Sequence, residues 1–251
     1  MIDFHYQEIK ADAEIRNLVK RFWKFSNATG DEQHYTVLPD GFFDIIIKVK
    51  ANKIDSISLI GLHTHEIETT ITGDTTILGI CFKPLAAEYI LQFKIADLLN
   101  TKRKLPNKFW NIDKIPHDNF NKWVEEITRT VTKILQNGKV IDTRKQNLFN
   151  TLFQTKGWLT VQEISSRLFW SSRQINRYFN THFGLSLKTY CNVLRCKATY
   201  NSIKKGDLFP SDKYADQSHF IKEIKKITGV TPKVLSKNKN YRYIQFSTKA
   251  P

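Results

Sequence analysis

The side chains best suited to a definite chemistry lie in two stretches 45 residues apart. The first is Ser171-Ser172-Arg173-Gln174-Ile175-Asn176-Arg177-Tyr178-Phe179, and the second is Asp216-Gln217-Ser218-His219-Phe220-Ile221-Lys222-Glu223-Ile224. Laid one over the other, Ile175 meets Phe220, Phe179 meets Ile224 and Arg177 meets Lys222. Downstream, Gly184-Leu185-Ser186-Leu187-Lys188 falls over Gly229-Val230-Thr231-Pro232-Lys233 without a gap. Each copy reads as a helix of about three turns stopped by glycine, with polar and basic side chains on its outer face. In the first copy Ile175 and Phe179 face inward, which leaves Arg173, Gln174, Asn176 and Arg177 near the outer side. The planar fork of arginine suits guanine O6 and N7 together, and the amides of Asn and Gln suit adenine. Ser171 and Ser172, at the helix start, are better placed for phosphate. Two such helices on one chain suggest a reader of duplex DNA.

The elements that must hold the first set in place are also legible. Thr160 followed by Glu163 is a capping box, and the helix it opens carries Val161, Ile164 and Leu168 on one face. A short turn at Phe169-Trp170 leads to Ser171-Ser172, and the second helix runs to about Phe183 before Gly184. Helix, tight turn and helix make a helix-turn-helix unit, whose second helix enters the major groove.

Charge points the same way. The chain of 251 residues has a formal net charge of +15. Residues 1–140 hold 19 Lys and Arg against 18 Asp and Glu, whereas residues 141–251 hold 20 against 6. A basic excess confined to one end is the footprint of a domain that meets a polyanion. A hydrophobic fraction of 41% and an aromatic fraction of 12% suffice for real cores, which excludes a disordered tail.

Catalysis finds little support. Cys81, Cys191 and Cys196 show neither a disulfide framework nor zinc spacing, and read as buried, reduced thiols. His63-Thr64-His65 offers two ligands on one strand face but no third, and His219 lacks a partner nucleophile. The chain is therefore expected to be no enzyme and to need no cofactor or metal. Lys102-Arg103-Lys104 reads as a solvated loop. With no membrane-length apolar run and no signal-peptide layout, a cytoplasmic protein without a membrane partner is expected.

The first hundred residues read mostly as strands. Asp44–Val49 is a β-branched run after the turn signal Pro39-Asp40-Gly41, and Ser56–Leu62 alternates with period two. Ile67–Asp74 and Thr76–Phe82 follow, after which Pro84 opens a helix over Leu85–Phe93. Phe120, Trp123, Val124, Ile127, Val131, Ile134 and Leu135 mark an amphipathic helix ended by Asn137-Gly138. Its apolar face could pack on its own domain or pair with a second copy, making a homodimer. A further helical pattern runs from about Arg144 to Gly157. The expected class is α+β: a β-rich antiparallel sandwich or barrel with a helical C-terminal part over residues 1–138, a helical lead-in over 139–156, and an all-α basic domain over 157–251.

Residues 157–240 resemble the DNA-binding domain of the AraC/XylS family of bacterial transcription regulators. The resemblance rests on Tyr214-Ala215-Asp216-Gln217-Ser218-His219-Phe220, the spacing from Phe220 to Gly229, and Gly229-Val230-Thr231-Pro232. That family joins two helix-turn-helix units by a long helix, which Leu187–Lys204 resembles. This would make 157–186 the first unit, 187–205 the linker and 206–236 the second unit. The resemblance implies base reading by Arg173, Asn176 and Arg177 in the first unit and by Gln217, Ser218, His219 and Lys222 in the second. Leu38-Pro39-Asp40-Gly41 and Leu78–Pro84 also resemble the β-rich sensor domain often found before this module, which implies a small-molecule effector. The implied partner is double-stranded DNA. One departure is Pro210, with Gly206 before it, where the first helix of the second unit should lie. That helix is expected to be short, irregular or absent, with Leu208 and Phe209 still plugging the core. A second reading follows from this: a regulator acting through protein contacts alone, its second unit degenerate.

Overall fold

The computed structural model describes residues 4–209, 214, 216–238 and 243. Eight strands open the chain: β1 (Phe4–Lys10), β2 (Val19–Asn27), β3 (Gln33–Val37), β4 (Phe43–Lys50), β5 (Lys53–Ile60), β6 (Ile67–Ile71), β7 (Thr75–Phe82) and β8 (Lys102–Leu105). Six form an antiparallel sheet of order β1-β2-β7-β4-β5-β8, and β3 pairs with β6 in a separate ribbon. Alternation along the strands sorts side chains to two sides. Phe22, Phe43, Ile45, Ile47, Ile80 and Phe82 enter the main core on one face. On the other face Phe25 packs with Tyr35 and Ile71 of the ribbon.

Helix α1 (Phe120–Gln136), capped by Asn119, closes the first face. Its Phe120, Trp123, Val124, Ile127 and Val131 are buried, and Trp123 meets Phe22 edge to face at 6.2 Å. The apolar side of α1 thus packs within its own chain. Two sequence expectations need correction here. Lys102–Leu105 is an edge strand paired with β5, its cations exposed, which blunts edge-to-edge pairing. The helix expected over Leu85–Phe93 is a single turn of π-type, Ala87–Leu91, stopped where Gln92 adopts a φ of 61°.

Six helices follow α1 among the described residues beyond 138: α2 (Thr143–Gln154), α3 (Val161–Leu168), α4 (Ser172–Phe183), α5 (Leu187–Lys204), α6 (Gln217–Thr228) and the short α7 (Pro232–Lys237). α5 buries Tyr190, Cys191, Val193, Leu194, Cys196, Tyr200 and Ile203, and carries almost no amphipathic bias because neighbours cover it on most sides. One apolar core runs without a break from the sheet through α1 to α5, joining Phe43 and Trp123 to Phe149, Ile164, Phe179 and Tyr190. A second cluster gathers Leu38 from the β-rich region with Cys196, Tyr200, Ile203, Phe220 and Ile224.

Phe209 and Leu208 depart from expectation. Phe209 remains 38% exposed, though its ring lies 5.7 Å from that of Phe220, and Leu208 is half-buried. Pro210 itself lies outside the described residues, and with it the test of the shortened helix.

Candidate nucleic-acid interface and an internal cavity

α4 is built from both ends. Ser171 and Gln174 form a reciprocal capping box: the Gln174 N–H donates to Ser171 Oγ at 3.3 Å, and the Ser171 N–H to Gln174 Oε1 at 3.1 Å. Such a cap contributes about 1 kcal/mol. At the other end Gly184 adopts a φ of 76°, a left-handed stop that glycine takes freely. A Cβ there would stand 2.5 Å from Ala96 O, so glycine also lets α4 close on the turn Ala96–Leu98 of the β-rich region. The Ile95 N–H donates to His182 O across the same contact at 2.9 Å. α4 is thus held at its C-terminal end and presents its N-terminal half to solvent.

Ile175 and Phe179 are buried, as their spacing requires, while Ser171, Arg173, Gln174 and Arg177 are exposed and Ser172 is half-buried. Asn176 is differently employed. Its Nδ2 donates to Ser172 O at 3.0 Å and its Oδ1 accepts the Leu187 N–H at 3.2 Å, tying α4 to the start of α5. Both ends of that amide are engaged inside the chain, so Asn176 acts here as a brace. Gln174 is likewise occupied by the cap through its oxygen, leaving the amide nitrogen outward.

α6 repeats the plan. Asp216 Oδ1 accepts the His219 N–H at 2.8 Å, and Gly229 ends the helix at a φ of 72°. Gln217, Ser218, His219 and Lys222 are exposed, with Phe220 and Ile224 buried beneath them. His219 Nε2 lies 3.9 Å from Glu223, which also faces Arg195 of α5 at 3.8 Å.

A second feature had no local signal in the sequence. Between the free face of the six-stranded sheet and the β3–β6 ribbon lies a cavity of about 490 Å³, walled by Trp23, Phe25, Ile46, Ile60, Ile71 and Ile77. Trp23 lies flat over Gly79, where a Cβ would stand 1.9 Å from its Cε2, and its Nε1 donates to Asp44 Oδ1 at 2.8 Å. Burial pushes the Asp44 carboxyl up to about 7, with Asp40 adding to the rise. His63 also lines the cavity; burial pushes it down to about 4, helped by His65. Among the described residues neither ring nitrogen of His63 has a hydrogen-bond partner, and Arg21 Nε faces Glu8 only as an ion pair. Arg21 sits between Glu8 at 3.5 Å and Asp40 at 3.6 Å.

One wall of this cavity is the loop from Leu38 to Phe42, and its outer side meets α5. The Tyr190 hydroxyl donates to Gly41 O at 2.9 Å and the Tyr200 hydroxyl to Pro39 O at 2.8 Å, both bonds buried. Lys197 Nζ stands 4.0 Å over the Phe42 ring, with its pKa lowered by burial. Gly41, at a φ of 80°, admits Leu194 Cδ2 to within 2.8 Å of where a Cβ would be.

Cys81, Cys191 and Cys196 are free and buried, and burial raises each thiol, Cys191 to about 11 and Cys196 to about 12. Among the described residues no group of three or more His, Cys, Asp or Glu is placed to hold a metal ion, and no helix is long and apolar enough to cross a membrane.

Residues 7–104, which include all of β2–β7, match a family model described as a domain of unknown function, DUF6597. No curated protein matches the chain. Among solved structures, ToxT from Vibrio cholerae O395 is similar at 13% identity and a TM-score of 0.43, over 95% of this chain and 98% of that one. A 1.65 Å form of ToxT from Vibrio cholerae is similar at 13% identity and a TM-score of 0.41, over 93% and 97%. Unsaturated fatty acid bound wild-type ToxT from Vibrio cholerae strain SCE256 is similar at 11% identity and a TM-score of 0.41, over 93% and 95%. At this distance the likeness transfers no residue role.

Proposed function

We propose that the chain is a sequence-specific, double-stranded-DNA-binding transcription regulator of the AraC/XylS type. In this reading residues 157–251 read the duplex and residues 1–138 sense a small molecule. The observation that carries it is the repeated reading element. α4 and α6 are each side-chain-capped, glycine-stopped helices with apolar undersides buried and cationic or polar upper faces exposed. They precede and follow the buried helix α5 along the chain, in the part that holds the basic excess. Arg173 and Arg177 are the base-reading residues of the first unit, Ser171 and Ser172 its phosphate contacts; Gln217, Ser218, His219 and Lys222 serve the second. Gln174 also caps the first reading helix, and Asn176 also braces it against α5.

The cavity under the β3–β6 ribbon is the candidate effector site, because its walls are largely apolar while both ring nitrogens of His63 stand without a hydrogen-bond partner among the described residues. An effector there would shift the balance between arrangements of α5, and with it the presentation of α4 and α6.

Selection of duplexes from a random pool tests this. The expected result is enrichment of a defined motif that the full chain binds at least a hundredfold more tightly than random duplex, within the usual range of specificity ratios. Equal, weak binding to every sequence would instead favour a regulator that works through protein contacts.

A further inference from the structure

The turn between α3 and α4 carries a phenylalanine where the neighbouring helix ends carry glycine. α3 stops at Phe169, whose φ of 50° and ψ of 39° place it in the left-handed region, with its N–H donating to Ser165 O. α4 and α6 stop in the same conformation at Gly184 and Gly229. Glycine adopts that conformation at no steric cost and a side chain resists it. Phe169 gains no burial in exchange. It is 97% exposed, the most exposed large apolar side chain among the described residues. Trp110 makes an instructive contrast: it too has a positive φ, 52°, but its ring stacks on Phe109 at 4.8 Å and packs against the main core. There the contacts explain the backbone. For Phe169 none among the described residues do.

Its surroundings indicate what the ring is for. Phe169 stands two residues before Ser171, the cap of the reading helix. Arg167 and Arg173, both exposed, lie two before and four after it in sequence. The acidic residue nearest in sequence, Glu163, is engaged in the capping box at the far end of α3. An apolar ring flanked by cations complements a surface that is apolar in spots and anionic around them. The major groove offers that combination in thymine methyl groups bordered by phosphates. We propose that Phe169 is a specificity-determining residue, its ring lying on a thymine methyl beside the bases met by α4. This rests on the DNA-reading function above and names an apolar contact in it.

The test uses the full chain and its selected duplex, with Phe169→Gly and Phe169→Asn, two residues at ease in the left-handed region. Both variants are expected to melt at or above the wild-type temperature, because the backbone is relieved. Both should bind the selected duplex about tenfold more weakly, the order of a lost aromatic contact. The salt dependence should be unchanged, since no cation is removed. Replacing thymine by deoxyuridine one position at a time should weaken the wild type roughly fourfold at one position, the worth of a buried methyl, and leave the variants indifferent there.

Wild-type affinity in both variants, while Arg173→Ala weakens binding, would overturn the inference and leave the DNA reading standing. So would a fall in melting temperature of several degrees, which would make the ring structural. A loss in Phe169→Gly that Phe169→Asn does not share would assign the effect to turn stiffness, and also overturn it. If Arg173→Ala, Arg177→Ala and both Phe169 variants all bind as the wild type does, the DNA-reading function fails and this inference with it.

Discussion

Removing the two tyrosine hydroxyls that tie α5 to the loop above the cavity should loosen the joint between the β-rich region and the helices. Tyr190 and Tyr200 donate to Gly41 O and Pro39 O in buried bonds. A change to phenylalanine deletes one oxygen, leaves the ring in place, and strands a carbonyl away from water. Such an orphaned acceptor costs about 1–3 kcal/mol, and the small apolar gain of phenylalanine offsets only part of it. We expect a loss of about 1–2 kcal/mol from Tyr190→Phe and a similar loss from Tyr200→Phe. The residues are ten apart on one helix, or about 15 Å, so the double variant should lose close to the sum, about 3 kcal/mol. With a urea dependence of about 2–3 kcal/mol per molar for a chain of this size, the midpoint should fall by roughly 1 M with an unchanged slope. The assay is urea unfolding followed by tryptophan fluorescence and by circular dichroism. Because one core spans the sheet and α1–α5, both probes should report a single transition in the wild type. Losses below about 0.3 kcal/mol in both single variants would refute the reasoning, since solvent would then be reaching those carbonyls. Two separate wild-type transitions would refute the shared core.

Three further outcomes follow. Gly79→Val should cost at least about 3 kcal/mol and abolish cavity binding of any effector found, because the new side chain occupies the space of Trp23; retention of wild-type melting would contradict this. The pH dependence of stability should contain two opposed contributions. Asp44, held protonated up to about 7 when folded, stabilises fully below the ordinary carboxylate range and loses that contribution as pH rises toward 7. His63, kept neutral down to about 4, acts in the opposite sense, its folded state gaining stability as pH rises from about 4 to the ordinary imidazole value. Asp44→Asn should therefore steepen the rise in stability over pH 4–6.5 and His63→Gln should reverse it, read by urea midpoints at stepped pH; identical profiles for both would exclude the opposition. Gly184→Ala should destabilise by more than about 1 kcal/mol, from the positive φ and the approach of Ala96 O together, as measured by thermal melting.

The sequence is most informative where structure is local. The caps at Thr160, Ser171 and Asn137, the glycine stops, the β-branched run at Asp44–Val49 and the period-two stretch at Ser56–Leu62 all depend on residues within a few positions of one another, and the elements formed match them. What depends on distant partners was not legible. The spacing marks Asn176 as a surface amide, and nothing near it in sequence announces that the Leu187 N–H donates to its oxygen. Lys102–Lys104 looks like a loop until β5 supplies a pairing edge. The cavity depends on Trp23 meeting Gly79 and Asp44, residues that neither spacing nor periodicity connects.

The central claim is that the exposed cations of α4 and α6 meet the backbone and bases of one duplex. The most direct measurement is the affinity of the full chain for its selected duplex, by fluorescence anisotropy, as salt rises from 50 to 200 mM. The expected wild-type result is a steep linear fall of log affinity with log salt. The Arg173→Ala, Arg177→Ala double variant should lower affinity at every salt concentration, and Lys222→Ala should reduce the salt slope by about one. Affinity that does not change with salt, or that survives loss of both arginines and Lys222 intact, would contradict the account.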